Sequence, residues 1–337
     1  MLAHPLLRRV LSSLGPLIAL LTVIGFFSIT EAITGTEGNF TSVSSARLVG
    51  IQSIKIGIAA LGMTLIIISG GIDLSAGTAT ALCGVIAAFS LDSGWPISIA
   101  VCFAVLGGVA CGALNGVLIA GLRLVPFIIT LGTMTIFLGL GKAISDQGGT
   151  ITPPRETIPD ALRMMVTQYP DPLWVAYPVL PNFGWGVWLV LVLAILVAVL
   201  LHKTVFGRHL FAIGSSEATA RLCGIRVPAN KIAIYALAGG LFGLAGCVDI
   251  ARLEKGDATA GLGLELEIIA AVVIGGGSLL GGRGSVVGTL CGVLIMGVIN
   301  LGCTALELEN QVENILLGVI IIVAVYVDRL RSQKGSM

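Results

Sequence analysis

The chain has 337 residues, of which 56% are hydrophobic and only 11% charged, and its mean hydropathy is +1.02. Soluble domains carry about a quarter charged residues, so these proportions exclude a soluble fold and point to an all-α polytopic membrane protein. The net charge of +1 offers no basis for nucleic-acid binding.

Apolar runs of spanning length are expected at 14–33, 51–69, 75–91, 96–121, 125–145, 184–202, 231–250, 264–281, 285–304 and 312–327, about ten transmembrane helices in a single domain covering 1–337. The first follows Arg8 and Arg9 and lacks a small-x-small cleavage site, so it reads as an uncleaved span. With the N-terminus inside, 12 of the 19 Lys and Arg fall on inner segments, which makes both termini cytoplasmic. The acidic residues lie mostly on the outer side. Almost every charge falls at a helix end.

Between the second and third runs stands Ser69-Gly70-Gly71-Ile72-Asp73-Leu74-Ser75. Asp73 reads either as a cap on the N–H groups of Ser75 and Ala76 or as a functional charge near the membrane, and the two can coexist. A second Gly-Gly turn at Gly276-Gly277 is a weak echo of this one. The fourth run carries Gly108, Gly112 and Gly116 at four-residue spacing. Gly239 with Gly243, and Gly284, Gly288 and Gly292, repeat that spacing later. Such rows are close-packing faces, and Asn115 and Asn300 lie beside them as interhelical hydrogen bonders or pathway residues. In the fifth run Pro126 suits a first helical turn. Thr130 and Thr133 either line a polar path for a hydroxylated solute or bond within and between helices.

The proline-rich segment 146–183 cannot be one long helix and reads as an external cap. The segment 203–231 is polar and basic, with a predicted short helix from Ser216 to Cys223 capped by Ser215 and Ser216. Glu217 lies in its first turn, Gly224 at its stop, and its thin apolar face comprises Ala218, Leu222 and Ile225. A helix this short is unstable alone, so it docks on a partner or lies on the membrane. In 264–281 the glycines from Gly275 onward break a helix near the inner face. GxxxxGK[ST], GxSxG and HExxH are absent, none of the seven Cys forms a CxxC, and the three His have no ligand spacing. Neither ATP binding, catalysis nor a metal site is expected of this chain.

The ordered pieces GMTLIIISGGIDLSAG, VPFIITLGTMTI, GRHLFAIGSSEATARLCGI and IAAVVIGGGSLLGGRGSVVGTLCGVLIMGVIN resemble the inner-membrane permease subunit of bacterial ABC sugar importers, of the ribose, xylose and galactose type. These belong to the branched-chain-amino-acid-related permease superfamily, and the resemblance runs from about 50 to 328. It implies import of a monosaccharide such as ribose, xylose, arabinose or galactose by alternating access in the plasma membrane. It also implies a cytoplasmic ABC ATPase that holds ATP and Mg, an extracytoplasmic sugar-binding protein and a second permease copy, with membrane lipid around them. Carried over residue by residue, the ATPase contacts are Gly207, Arg208, Gly214, Ser215, Glu217, Ala218, Arg221 and Gly224. Asp73, Asn115, Thr130, Thr133 and Asn300 are the pathway candidates. Two other cargoes fit related permeases, branched-chain amino acids and nucleosides. The remaining alternatives are an ion-coupled secondary transporter, which would need ionisable residues at the midplane, and a purely structural or scaffold membrane protein, which would transport nothing with any set of partners.

Overall fold

The computed structural model describes residues 5–34, 40–145, 148–166, 184–308 and 310–334. The helices are α1 (Pro5–Thr34), α2 (Val43–Ile68), α3 (Ala76–Asp92), α4 (Ile97–Leu122), α5 (Pro126–Ile144), α6 (Asp160–Arg163), α7 (Trp185–Lys203), α8 (Val205–Ser215), α9 (Glu217–Leu222), α10 (Val227–Leu253), α11 (Leu264–Ile274), α12 (Val286–Ala305) and α13 (Asn310–Lys334). Among the described residues seven helices are long and apolar enough to cross a membrane: α1, α2, α4, α5, α7, α10 and α12. The apolar helix α3 and the apolar stretch Ile315–Tyr326 of α13 are shorter.

The central helix is α2. From Gly57 to Ile68 every residue is buried, as suits a helix apolar on all sides. It starts at Val43 rather than 51 because Ser42 caps it, its hydroxyl accepting from the Ser45 N–H. The added turns mix Ser44, Ser45 and Arg47 with apolar residues and are largely exposed, only Ser45 and Val49 being buried. In consequence Lys55, expected near a helix end, sits well inside α2 and pairs with Asp249 of α10 at 2.8 Å. Outer helices show the reverse pattern: Leu106 on α4, Ile136 on α5 and Ile195 on α7 are exposed, as lipid-facing positions require.

Glycine rows set the contacts of α10. A Cβ on Gly108 would strike the Gly239 carbonyl, and one on Gly239 the Gly108 carbonyl; Gly112 faces the Tyr235 carbonyl and Gly116 the Ile232 backbone. Helices α4 and α10 therefore meet backbone to backbone. Between lipid-embedded helices such packing supplies much of the attraction. Gly288 and Gly292 do the same for α12 against Gly275 and Ala271 at the end of α11, whereas Gly284 precedes α12 and meets the Ile68 side chain.

The run 264–281 is not one span. Helix α11 stops at Ile274, where Gly276 takes φ +91°, a conformation open to glycine at no steric cost. The turn that ends α2 has the same hydrogen-bond register. Gly70 N–H donates to Ile67 O and Gly71 N–H to Ile66 O, just as Gly276 donates to Val273 O and Gly277 to Val272 O. The echo of the two Gly-Gly turns is thus a shared backbone geometry.

Of the segment 146–183, residues 146–147 and 167–183 lie outside the described residues. The rest is short pieces: β1 (Thr150–Ile151), paired antiparallel with β2 (Gly256–Asp257), a 3₁₀ turn at Arg155–Thr157, and α6. Arg163 reaches Glu254 at 3.0 Å, and the Trp185 indole N–H donates to Ala161 O at 2.7 Å. Leu162 and Met165 are buried. These contacts fasten residues 148–166 over the end of the bundle opposite α9.

Candidate functional site

Two groups of residues converge at the end of the bundle where α2 and α11 terminate. The first is an elbow built from α8 and α9. Helix α8 was not foreseen; its glycines at 207 and 214 read as loop. Gly207 is glycine because α8 turns so sharply off α7 that a Cβ would strike the Leu200 and Leu201 carbonyls, and Thr204 caps the corner, its hydroxyl accepting from the Gly207 N–H at 3.1 Å. Gly214 is seated deeper. A Cβ there would meet the Ile68 carbonyl and the Gly282 N–H, which are themselves hydrogen-bonded at 2.8 Å. Gly281 (φ +86°) in turn faces Gly70 and Gly214. The elbow therefore rests on both glycine turns at once.

Ser216, extended at φ −163°, separates the two helices and caps α9, its hydroxyl accepting from the Thr219 N–H at 3.2 Å. Gly224 (φ +81°) ends the helix, with Gly224 N–H donating to Arg221 O and Ile225 N–H to Ala220 O. The capping and the stop match expectation; the helix itself is Glu217–Leu222 and Ser215 belongs to α8. Its buried face differs from the predicted one. Ala220 packs with Ile213, Val227 and the half-buried Ile225, whereas Ala218 is exposed and Leu222 is 88% exposed. Three faces of a six-residue helix cannot be ordered from composition alone, because the chain returning at Val227 decides which side is covered.

Glu217 binds two cations. Its Oε2 accepts from Lys231 Nζ of α10 at 2.6 Å and its Oε1 from Arg221. Burial acts to raise its pKa, but the hydrogen bonds and charges of Lys231 and Arg221 outweigh that and hold the carboxyl below its ordinary value. Arg208 is exposed on α8. Lys231 is a partner that reading the sequence missed, since fourteen positions separate it from Glu217.

The second group is a buried polar cluster. Asp73, 1% exposed, uses Oδ1 to accept from the Ser75 N–H at 2.8 Å and the Ser75 hydroxyl at 2.6 Å. Asn115 Nδ2 donates to Ser75 Oγ at 2.8 Å and to Asp73 Oδ2 at 3.4 Å. Thr130 accepts from the Leu74 N–H at 3.1 Å and donates to Ile72 O, so it clamps α5 to the loop rather than only bonding its own helix. Thr133 donates to Thr130 O. Four pathway candidates thus gather around one loop; Asn300 lies elsewhere, on the far part of α12. Tyr235 is a further member that was not anticipated: its hydroxyl is buried with no hydrogen-bond partner among the described residues, and it fills the space a Cβ on Gly71 would need. A single Tyr inside an apolar helix was the available signal.

One cleft joins the groups, lined by Gly71 and Tyr235 within and by Ser215, Glu217 and Lys231 toward solvent. Among the described residues no cluster of His, Cys, Asp and Glu is suited to a metal. The elbow and the loop holding Asp73 are neighbours through the packing of Gly214 against the turn at Gly70.

Apolar helices of spanning length, packed through glycine rows around an elbow, define a multi-pass membrane protein. The chain belongs to the family described as "Branched-chain amino acid transport system / permease component", which matches residues 45–325. It is 38% identical to the ribose import permease protein RbsC of Bacillus subtilis (strain 168), across 96% of this chain and 94% of that protein. It is 36% identical to the fructose import permease protein FrcC of Rhizobium meliloti, across 87% and 79%, and 32% identical to the autoinducer 2 import system permease protein LsrC of Photorhabdus luminescens, across 94% and 89%. No solved structure matches. The resemblance to permeases of ABC sugar importers expected from the motifs is borne out, and the chain is a transport component rather than an enzyme.

Proposed function

We propose that the chain is the membrane subunit of an ATP-driven importer of a monosaccharide such as ribose, xylose, arabinose or galactose, in the bacterial inner membrane. In this reading the α8–α9 elbow and both termini are cytoplasmic and segment 146–183 is outside. Support for the orientation comes from the Lys and Arg distribution, and support for a sugar cargo from the names of the ribose and fructose import relatives.

A separate ATPase, holding ATP and Mg, docks on the elbow through Gly207, Arg208, Gly214, Ser215, Glu217, Ala218, Arg221 and Gly224. Leu222 is its apolar anchor. The observation that carries this reading is Leu222, left 88% exposed on a helix that Glu217 and Lys231 otherwise fix in place. Arginines are among the residues that dominate binding at interfaces, and Arg208 and Arg221 are exposed with Leu222 on the elbow. An extracytoplasmic sugar-binding protein selects the cargo and meets the opposite end, and a second copy of this chain completes the pathway. Closure of the ATPases displaces α9, and the seat of Gly214 passes the movement to the ends of α2 and α11.

The test is affinity purification from native membranes in mild detergent, with mass spectrometry of the co-purifying chains. A cytoplasmic protein bearing GxxxxGK[ST] is expected with the wild type and is lost with Glu217→Lys, which also abolishes uptake while inserting normally. Wild-type uptake by Glu217→Lys refutes the docking assignment.

A further inference from the structure

Asn300 does not join the Asp73 cluster, and its surroundings have their own character. It lines an open cavity of about 370 Å³ bordered by α2, α10, α11, α12, α13 and the loop at Ala260 and Leu262, within the size range of small-ligand pockets, about 300–1,000 Å³. Its polar lining comprises Gln52, Lys55, Asp249, Arg252, Glu267 and Asn300. Six polar or charged side chains in one cavity between membrane helices are costly to place there and mark functional sites.

The parts of this lining differ in what they leave open. Lys55 and Asp249 satisfy each other at 2.8 Å, and Lys55 Nζ also donates to Ala260 O at 3.4 Å. That pair closes one wall and joins α2 to α10. Gln52, one turn away on α2, keeps Oε1 buried without a partner among the described residues. An amide oxygen taken from water and left unpaired is destabilising, and a hydroxyl donor entering the cavity would relieve it. The Lys55–Asp249 pair satisfies itself, and the amides beside it can exchange hydrogen bonds with an uncharged polyol, whose hydroxyls both donate and accept. They suit an apolar solute less. With a rise of about 1.5 Å per residue, Gln52 lies roughly 24 Å along α2 from its end at Ile68. The cavity is thus near the opposite end of the bundle from the elbow.

We propose that this cavity is a transit site for the sugar, with Gln52 and Asn300 hydrogen-bonding its hydroxyls and the Lys55–Asp249 pair forming the wall. The proposal rests on the sugar-importer reading and adds the place where the permease itself touches the cargo. Contact is weak and brief there, because a transit site must release what it admits.

The experiment uses the complete transporter, with its ATPase and binding protein, in proteoliposomes offered radiolabelled D-ribose, D-xylose, D-galactose and D-fructose. Gln52→Leu and Asn300→Leu are expected to lower uptake by about tenfold, the effect of one lost hydrogen bond to the passing solute. ATP hydrolysis stimulated by the binding protein is expected to persist, which a misassembled transporter would not show. In a second arm, Asn300→Cys is treated with a small cationic methanethiosulfonate, against the parent chain with its own cysteines. Modification is expected to block uptake, and excess sugar to slow the modification. Unchanged uptake by both leucine variants, or modification that sugar does not slow, overturns the transit site while leaving the importer reading standing. A wild-type transporter that hydrolyses ATP but carries none of the four sugars overturns both.

Discussion

Glu217 and Lys231 meet at 2.6 Å, tying α9 to the first turns of α10. Because α9 has only six residues and buries little besides Ala220, this ion pair and its companion from Arg221 fix the helix's angle. Both partners of the carboxylate favour its ionised form, and its folded pKa is depressed. A group with a depressed pKa stabilises above its unfolded value, and that contribution disappears as pH falls through the folded value. With the exposed Cys102 and Cys223 replaced by Ser, a spin label on Ala220→Cys, at the buried face of α9, should therefore be restricted at about pH 7 and gain mobility below the ordinary carboxylate range, about pH 4. In Lys231→Met the same gain should occur at higher pH. Identical profiles for the two proteins would show that the pair does not hold α9.

Gly214 admits no side chain, since any Cβ would enter the Ile68 carbonyl and the Gly282 N–H. Neither obstacle is a side-chain tip that can swing away. Gly214→Ala should lower stability by about 1–3 kcal/mol, as overpacking does, seen as a fall in thermal midpoint in detergent. Gly132→Ala on α5, where nothing lies within 4 Å of the new atom, serves as the control and should be neutral or slightly stabilising. Equal midpoints for the two variants would disprove the close seat.

Asp73→Ala should cost more than Asp73→Asn. The alanine leaves the buried Ser75 hydroxyl and N–H without their acceptor, at about 1–3 kcal/mol for each such group, while asparagine keeps an oxygen at Oδ1. Thermal midpoints of the two purified variants decide it, and the reverse order would mean that the charge, not the hydrogen bonds, organises the loop.

Gly108→Ala and Gly239→Ala each force α4 from α10, because each Cβ strikes the other's carbonyl. Once one substitution has separated the helices, the second meets less resistance. The double variant should lose less stability than the two singles together, with a coupling of about 0.5–3 kcal/mol. Simple additivity in chemical or thermal denaturation would place the two glycines in separate contacts.

Lys55→Met leaves the Asp249 carboxylate, 9% exposed, without its counter-ion. Removal of one member of such a pair costs about 3–5 kcal/mol. Lys55→Met with Asp249→Leu should recover much of that loss. A double variant no more stable than the single would assign Asp249 a second partner.

Much of this was legible in the sequence where local chemistry decides. Pro126 at the start of α5, Ser216 as a cap and Gly224 as a stop were all readable, because each acts through its own turn of backbone. The glycine rows announced close approach but not the pairing of Gly108 with Gly239, which depends on helices far apart in the chain. Helix α8 was hidden because Gly207 and Gly214 are poor helix formers; they are retained for tertiary contacts that outweigh propensity. The early start of α2 escaped hydropathy since Ser44, Ser45 and Arg47 interrupt the apolar run in its first turns. Asn115 was visible as a lone amide, but its bond to Ser75 spans forty positions.

The seat of Gly214 also bears on the order of assembly. Residue 214 contacts Ile68 and Gly70, made before it, and Gly281 and Gly282, made after it. During synthesis the elbow can find the first turn as soon as α8 emerges, but its seat stays half built until the chain has been extended past Gly282. A nascent chain therefore cannot complete the seat of Gly214 until residues 281 and 282 have been made. A chain cut short before 281 would leave the α8–α9 elbow resting on the first glycine turn alone.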